Sequence, residues 1–189
     1  MANPAFDLEP DARMSREDYR RWAEAQPHGR FERLDGEVVA RAPERAHHAN
    51  RKALIWLALR QAVAAAGLPC HVFPDGMTVE VDDSDLEPDA ILHCGETVPG
   101  NAIAVPHPMI VVVVLSPSTR GDDLTRKLVA YFRAPLVQHY LLFWADQPQA
   151  IHRRRCADGQ GIDTLVMTEG EISLDPPGIA VTLAEIYPV

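Results

Sequence analysis

The chain has 189 residues, three cysteines and a formal net charge of −9 at pH 7. That length suits one domain, and no segment reaches the roughly 18 apolar residues of a membrane-spanning helix. The acidic balance argues against broad, sequence-independent coating of nucleic acid, which cationic surface drives, but it leaves room for a local basic groove.

The opening segment MANPAFDLEPDARMS carries acids and prolines around no apolar core. It does not read as a signal peptide, so a cytoplasmic location is the expectation. Residues 1–14 read as an irregular arm, and 15–189 as the domain. Ser15 caps a helix over SREDYRRWAEAQ, with acids in the first turn and Tyr19, Trp22 and Ala23 as the apolar stripe. Asp35-Gly36 between two alternating segments predicts a two-residue hairpin. Ala46 to Ala66 follows with a long helical pattern closed by Gly67.

A strand-rich region comes next. CHVFP and MTVEV flank the turn signal Pro74-Asp75-Gly76, and Asp82 to Glu87 reads as an acidic loop before a short strand over Pro88 to Leu92. Met109 to Leu115 is an unbroken apolar run, the pattern of a strand buried on both faces. It breaks into Ser116-Pro117-Ser118-Thr119 and re-forms as a helix over Asp122 to Phe132 that carries Lys127. HYLLFWA and AIHRRR read as successive strands, and GIDTLVMT and EISLD as a hairpin around Glu169-Gly170. VTLAEIYP reads as a short helical turn capped by Thr182. The whole predicts an α+β domain with a mixed sheet and helices packed on it. Cys70, Cys94 and Cys156 are odd in number and far apart. They fit neither a disulfide framework nor a zinc spacing, and reduced thiols are expected.

A strand that ends in a polar turn holds side chains rigidly where solvent can reach them. Asp89 starts the short strand after a polar loop, and it can either cap backbone amides or bind a metal. A hard divalent ion takes carboxylate oxygens and water, and a phosphodiesterase uses such an ion to activate water and neutralise phosphate charge. Asp123 stands four residues before Lys127, so an ion pair on the helix surface is the plain alternative for both. Glu37 follows the Asp-Gly turn, and Glu80 sits in MTVEV facing solvent or the strand of Asp89. Ser116, Ser118 and Thr119 lack a Gly-x-Ser-x-Gly elbow, so a serine nucleophile is rejected. His48, Arg51 and Lys52, with Arg41, Arg45 and the run Arg153-Arg154-Arg155, are candidate phosphate or cleft contacts, although solvated strand ends explain such runs as well.

The strings VVVVLSPSTRGDDLTRKLVAYFRAP and HYLLFWADQPQAIHRRR resemble the Uma-type restriction endonuclease family, within the PD-(D/E)XK nuclease superfamily. FERLDGEVVARAPERAHHANRKALIWL, EPDAILHCG and LAEIYP match further family segments in the expected order. The resemblance implies a restriction-endonuclease-like fold, a magnesium- or manganese-dependent endonuclease acting on DNA, no small-molecule cofactor, and a homodimer. Carried over by position, Asp89 matches the motif aspartate, Glu37 an early glutamate that helps hold the metal, Lys127 the lysine moved to the helix, and His47 or His48 the family histidine. The family's metal-binding acid before Val-Leu-Ser-Pro-Ser falls at Val113, and valine binds no metal. The resemblance therefore implies either an active nuclease or a degenerate homologue that binds DNA or protein without cleaving.

Overall fold

The computed structural model describes residues 13–115 and 121–188, and side chains from Leu124 onward in its third helix. The elements are α1 (Arg16–Glu24), β1 (Phe31–Leu34), β2 (Glu37–Ala40), α2 (Ala46–Ala66), β3 (Cys70–Pro74), β4 (Val79–Val81), β5 (Ser84–Leu86), β6 (Ala90–Cys94), β7 (Pro108–Leu115), α3 (Gly121–Arg133), β8 (His139–Trp144), β9 (Ala150–Arg155), β10 (Ile162–Met167), β11 (Glu171–Leu174), β12 (Ile179–Thr182) and α4 (Leu183–Ile186). The fold is α+β, as the sequence predicts. The LSPST segment lies outside the described residues.

Local chemistry sets the punctuation. The Ser15 side chain accepts the Asp18 amide at 3.2 Å and starts α1. Asp35 and Gly36, at φ 51° and 84°, form the tight turn between β1 and β2. Two successive positive φ angles match the right-handed twist of the strands they join. Thr182 and Glu185 close a reciprocal capping box on α4.

A six-stranded sheet in the order β10-β9-β8-β7-β6-β3 forms the centre, with β7 and β8 parallel and α3 as their crossover. A four-stranded sheet, β2-β1-β5-β4, packs with α3 over one face. Helices α2 and α4 and the β11–β12 pair cover the other. Because side chains alternate along a strand, β7 feeds both layers. Ile110, Val112 and Val114 join Leu59, Leu92, Phe143, Ile172 and Ile186 on one side. Val111, Val113 and Leu115 join Leu34, Ile91, Tyr131 and Tyr140 on the other. Each fully buried aliphatic side chain contributes about 1.5–3 kcal/mol, so this strand anchors both halves of the core. Among the described residues, no helix is long and apolar enough to cross a membrane.

Three expectations are corrected. The predicted acidic loop Asp82 to Glu87 contains β5, because Ser84 and Leu86 are buried and the Asp85 carboxylate is neutralised by the buried Arg33 at 2.6 Å. The predicted β10–β11 hairpin does not form. β10 pairs with β9, and β11 pairs with β12 so that Ile172 and Leu174 reach the core. Cys70 and Cys94 are joined by a disulfide rather than left as thiols, since the antiparallel register of β3 and β6 sets them directly opposite. Cys156 is free.

Candidate functional site

The site forms at the carboxyl end of β7. β6 runs antiparallel to β7 with Ala90 opposite Val112, so Asp89, one residue outward, lies beside Val113. Asp89 is 3% exposed. Its carboxylate oxygens have separate tasks. Oδ2 accepts the Val114 amide at 2.6 Å, while Oδ1 takes Arg41 at 3.0 Å and the Lys52 ammonium at 2.7 Å. The amide-capping reading of Asp89 therefore holds geometrically. It caps a backbone amide and also presents one oxygen to a charged cluster.

Lys52 reaches this point from the first turns of α2, and the turn after β3 supplies Asp75. The Lys52 ammonium pairs with Glu44, with Asp75 at 2.6 Å and with Asp89. Burial alone would push the Lys52 amine down, but Asp89, with hydrogen bonds to Asp75 and Glu44, carries it above its ordinary range. Burial would likewise raise Asp75, yet hydrogen bonds from Arg30 and Lys52 hold it well below the usual carboxylate range. One oxygen from each of Glu44, Asp75 and Asp89 lies within 4.8 Å of the others. This is a hard, all-oxygen donor set of the kind that suits magnesium or manganese. In kind it fits the metal that the nuclease resemblance implies, with Lys52 standing where a cation would bind.

Lys127 arrives from α3 on the side of the sheet that holds Val113. Its ammonium lies 2.5 Å from Glu32, a β1 carboxylate that is 1% exposed. Glu32 also accepts the Glu87 amide at 3.0 Å and stands 3.7 Å from Arg41, which links it to Asp89. Against the cost of burial, Glu32 and Asp89 raise the Arg41 guanidinium above its ordinary value. His48 Nε2 donates to the Val114 carbonyl at 2.8 Å, leaving Nδ1 buried, without a hydrogen bond, 4.0 Å from Glu44.

The structure thus brings Asp89, Lys127, His48 and Lys52 to one end of the sheet. Glu37 is placed elsewhere. It closes the hairpin and pairs with Arg126 at 2.9 Å and Arg13 at 3.9 Å. Arg51 stacks on the Tyr187 ring at 3.7 Å and donates to the Ala145 and Ile186 carbonyls, so it clasps α4. Glu80 faces α1 through Arg16 and Arg20, and His47 is exposed. In the arginine run, Arg155 holds the carbonyls that end α3 and Arg154 pairs with Asp163. Val113 is half-buried against apolar neighbours.

Glu32, Glu44 and Asp75 are cluster members that sequence reasoning missed. For Glu32 a signal existed, since it shares strand parity with the core residue Leu34. Glu44 and Asp75 become neighbours only once β3 is paired with β6.

A mixed sheet with one parallel crossover and helices on its faces is a nuclease-like fold. A family model described as "Putative restriction endonuclease", Uma2, matches residues 16–184. The chain belongs to this family. A solved structure described as a putative nuclease belonging to DUF820 from Anabaena variabilis superposes with a TM-score of 0.72 at 14% identity, over 92% of this chain and 97% of that one. That likeness bears on the fold. The uncharacterized protein slr1290 of Synechocystis is 25% identical over 94% of this chain and 93% of its own length.

Proposed function

We propose that this chain is a divalent-metal-dependent DNA endonuclease of the cytoplasm, hydrolysing phosphodiester bonds at the carboxyl end of β7. The observation that carries this reading is the convergence of the Glu44, Asp75 and Asp89 oxygens beside the Glu32–Lys127 pair. Asp89, Glu44 and Asp75 are the residues that would hold magnesium or manganese, and Glu37 is too committed to Arg126 to be chosen over them. The ion supplies charge neutralisation at the phosphate and an acidified water. Asp89 keeps its geometry because the Val114 amide fixes Oδ2, leaving Oδ1 to face the site. Lys127 offers positive charge to the developing phosphorane oxygens, and Glu32 holds that ammonium in place. Arg41, fixed between Glu32 and Asp89, sets the spacing of the two carboxylates. Lys52 occupies the donor set in the resting protein, and its flexible stem lets it swing toward the substrate phosphate when released.

Val113 favours a second reading. The position beside Asp89 offers no oxygen, and Arg41 and Lys52 already share Asp89 Oδ1. On that reading the chain keeps the fold to bind DNA or a protein and does not cleave. Supercoiled plasmid incubated with magnesium or manganese separates the two. Nicking by the wild-type chain that Asp89→Ala abolishes supports the enzyme. No nicking by wild type together with nicking by Val113→Glu supports the degenerate homologue.

A further inference from the structure

We propose that β10 is a self-association edge, on which a second copy of this chain adds its own β10 antiparallel to extend the six-stranded sheet across a two-fold axis. The strand is the outer edge of the sheet and, among the described residues, pairs only with β9. Apart from Met167, which packs against the core, it is left uncovered among the described residues. Ile162 is 40% exposed, Leu165 55% and Val166 58%. A bare apolar edge with free backbone donors and acceptors is a template for another strand, and proteins that stay single guard such edges with lysine, proline or a covering element. β10, reading IDTLVM, has no lysine or proline. Its one charge, Asp163, pairs with Arg154 at 3.1 Å, both side chains half exposed.

The strand's own pattern selects a second copy as the occupant. A two-fold axis normal to the sheet keeps each face on its own side, so a residue can oppose only one of the same strand parity. An axis at Asp163 sets that acid against itself, and an axis at Val166 sets it against Glu169; both are like-charge pairs that destabilise a ladder. An axis at Thr164 sets Leu165 against the acid. An axis at Leu165 opposes Leu165 with itself, Thr164 with Val166, and Asp163 with Met167. This register joins the apolar residues and opposes no two charges. A groove of about 400 Å³ opens on the Leu165 face, lined by His152, Leu165, Met167 and Ile172 among others. It widens the contact beyond the ladder itself, toward the roughly 800 Å² per partner of a stable interface.

The inference is independent of the nuclease reading, and sedimentation equilibrium of the full chain at tens of micromolar tests it. Wild type is expected at twice the chain mass, Leu165→Lys at the chain mass with an unchanged circular dichroism spectrum, and Ile103→Lys, an exposed apolar control, at twice the mass. In a Cys156→Ser background, a short bifunctional thiol reagent should join Leu165→Cys chains to each other but not Asp158→Cys chains. A monomeric wild type, or a dimer that survives Leu165→Lys, overturns the proposal. Should Leu165→Lys fail to fold, equal cross-linking of Leu165→Cys and Asp158→Cys overturns it instead.

Discussion

Lys127 on α3 places its ammonium 2.5 Å from the buried Glu32 of β1. One helical residue earlier, Arg126 takes Glu37 at 2.9 Å. The two cations therefore hold opposite ends of the hairpin's ion pairing, one inside the molecule and one at its surface. Removing one member of a buried pair costs about 3–5 kcal/mol, whereas an exposed pair contributes about 0–1 kcal/mol. Glu32→Ala is expected to lower the unfolding free energy by about 3 kcal/mol or more, and Glu37→Ala by under about 1 kcal/mol. Urea titrations of the two variants measure the difference directly.

The Lys52 ammonium pairs with three carboxylates at once. Replacing it with methionine keeps the buried stem and leaves Glu44, Asp75 and Asp89 facing each other without their ammonium. Lys52→Met is expected to melt below wild type in chelator and to recover with added manganese, because a ligand that binds only the folded state stabilises it by mass action. About 2.7 kcal/mol of recovery corresponds to metal at a hundred times its dissociation constant. Thermal shifts across a manganese series read the effect, and a recovery no larger than that of wild type would show that these acids do not converge on a cation.

The parts of this fold that were legible in the sequence are those fixed within a few residues. Ser15, Asp35-Gly36, Gly67 and Thr182 each announce a cap or turn through their own side chain or backbone freedom. β5 was hidden because Asp85 reads as a loop acid until Arg33, 52 residues away in sequence, is brought beside it. Register hid the remainder. Asp75 lies near Asp89, and Cys70 near Cys94, only because β3 chooses β6 as its partner rather than β4. Asp89 was a candidate from its place at the strand start and Lys127 from the resemblance, while their partners Glu44, Asp75 and Glu32 follow from packing.

The Cys70–Cys94 bond closes a segment 24 residues long and ties the outer strand β3 to β6. By the chain-entropy argument, such a link contributes about 3 kcal/mol, mainly by restricting the unfolded chain. Cys70→Ala/Cys94→Ala is expected to unfold at lower urea than oxidised wild type and to match wild type in strong reductant. Paired titrations with and without dithiothreitol check this. Since the cytoplasm keeps most thiols reduced, the same comparison shows how much stability the protein has where it is proposed to work.

His139 and His152 form a buried pair that makes stability depend on mild acid. His139 Nε2–H donates to the Pro176 carbonyl at 2.8 Å, which leaves its Nδ1 to accept from His152 Nε2–H, also at 2.8 Å. His139 cannot take a second proton, at Nδ1, without losing the bond from His152. Burial pushes both below the usual histidine range, and His152, further depressed by His139 and Arg154, falls to about 4. Between that value and the unfolded value of about 6.5, the unfolded chain binds more protons than the folded one. Stability is therefore full above about pH 6.5 and falls as the pH drops toward 4, with His152 accounting for on the order of 3 kcal/mol. His152→Gln can keep the donated hydrogen bond and cannot titrate. Its urea stability should decline less than that of wild type between pH 7 and pH 4, and the gap between the two curves isolates this histidine from the carboxylates that titrate in the same window.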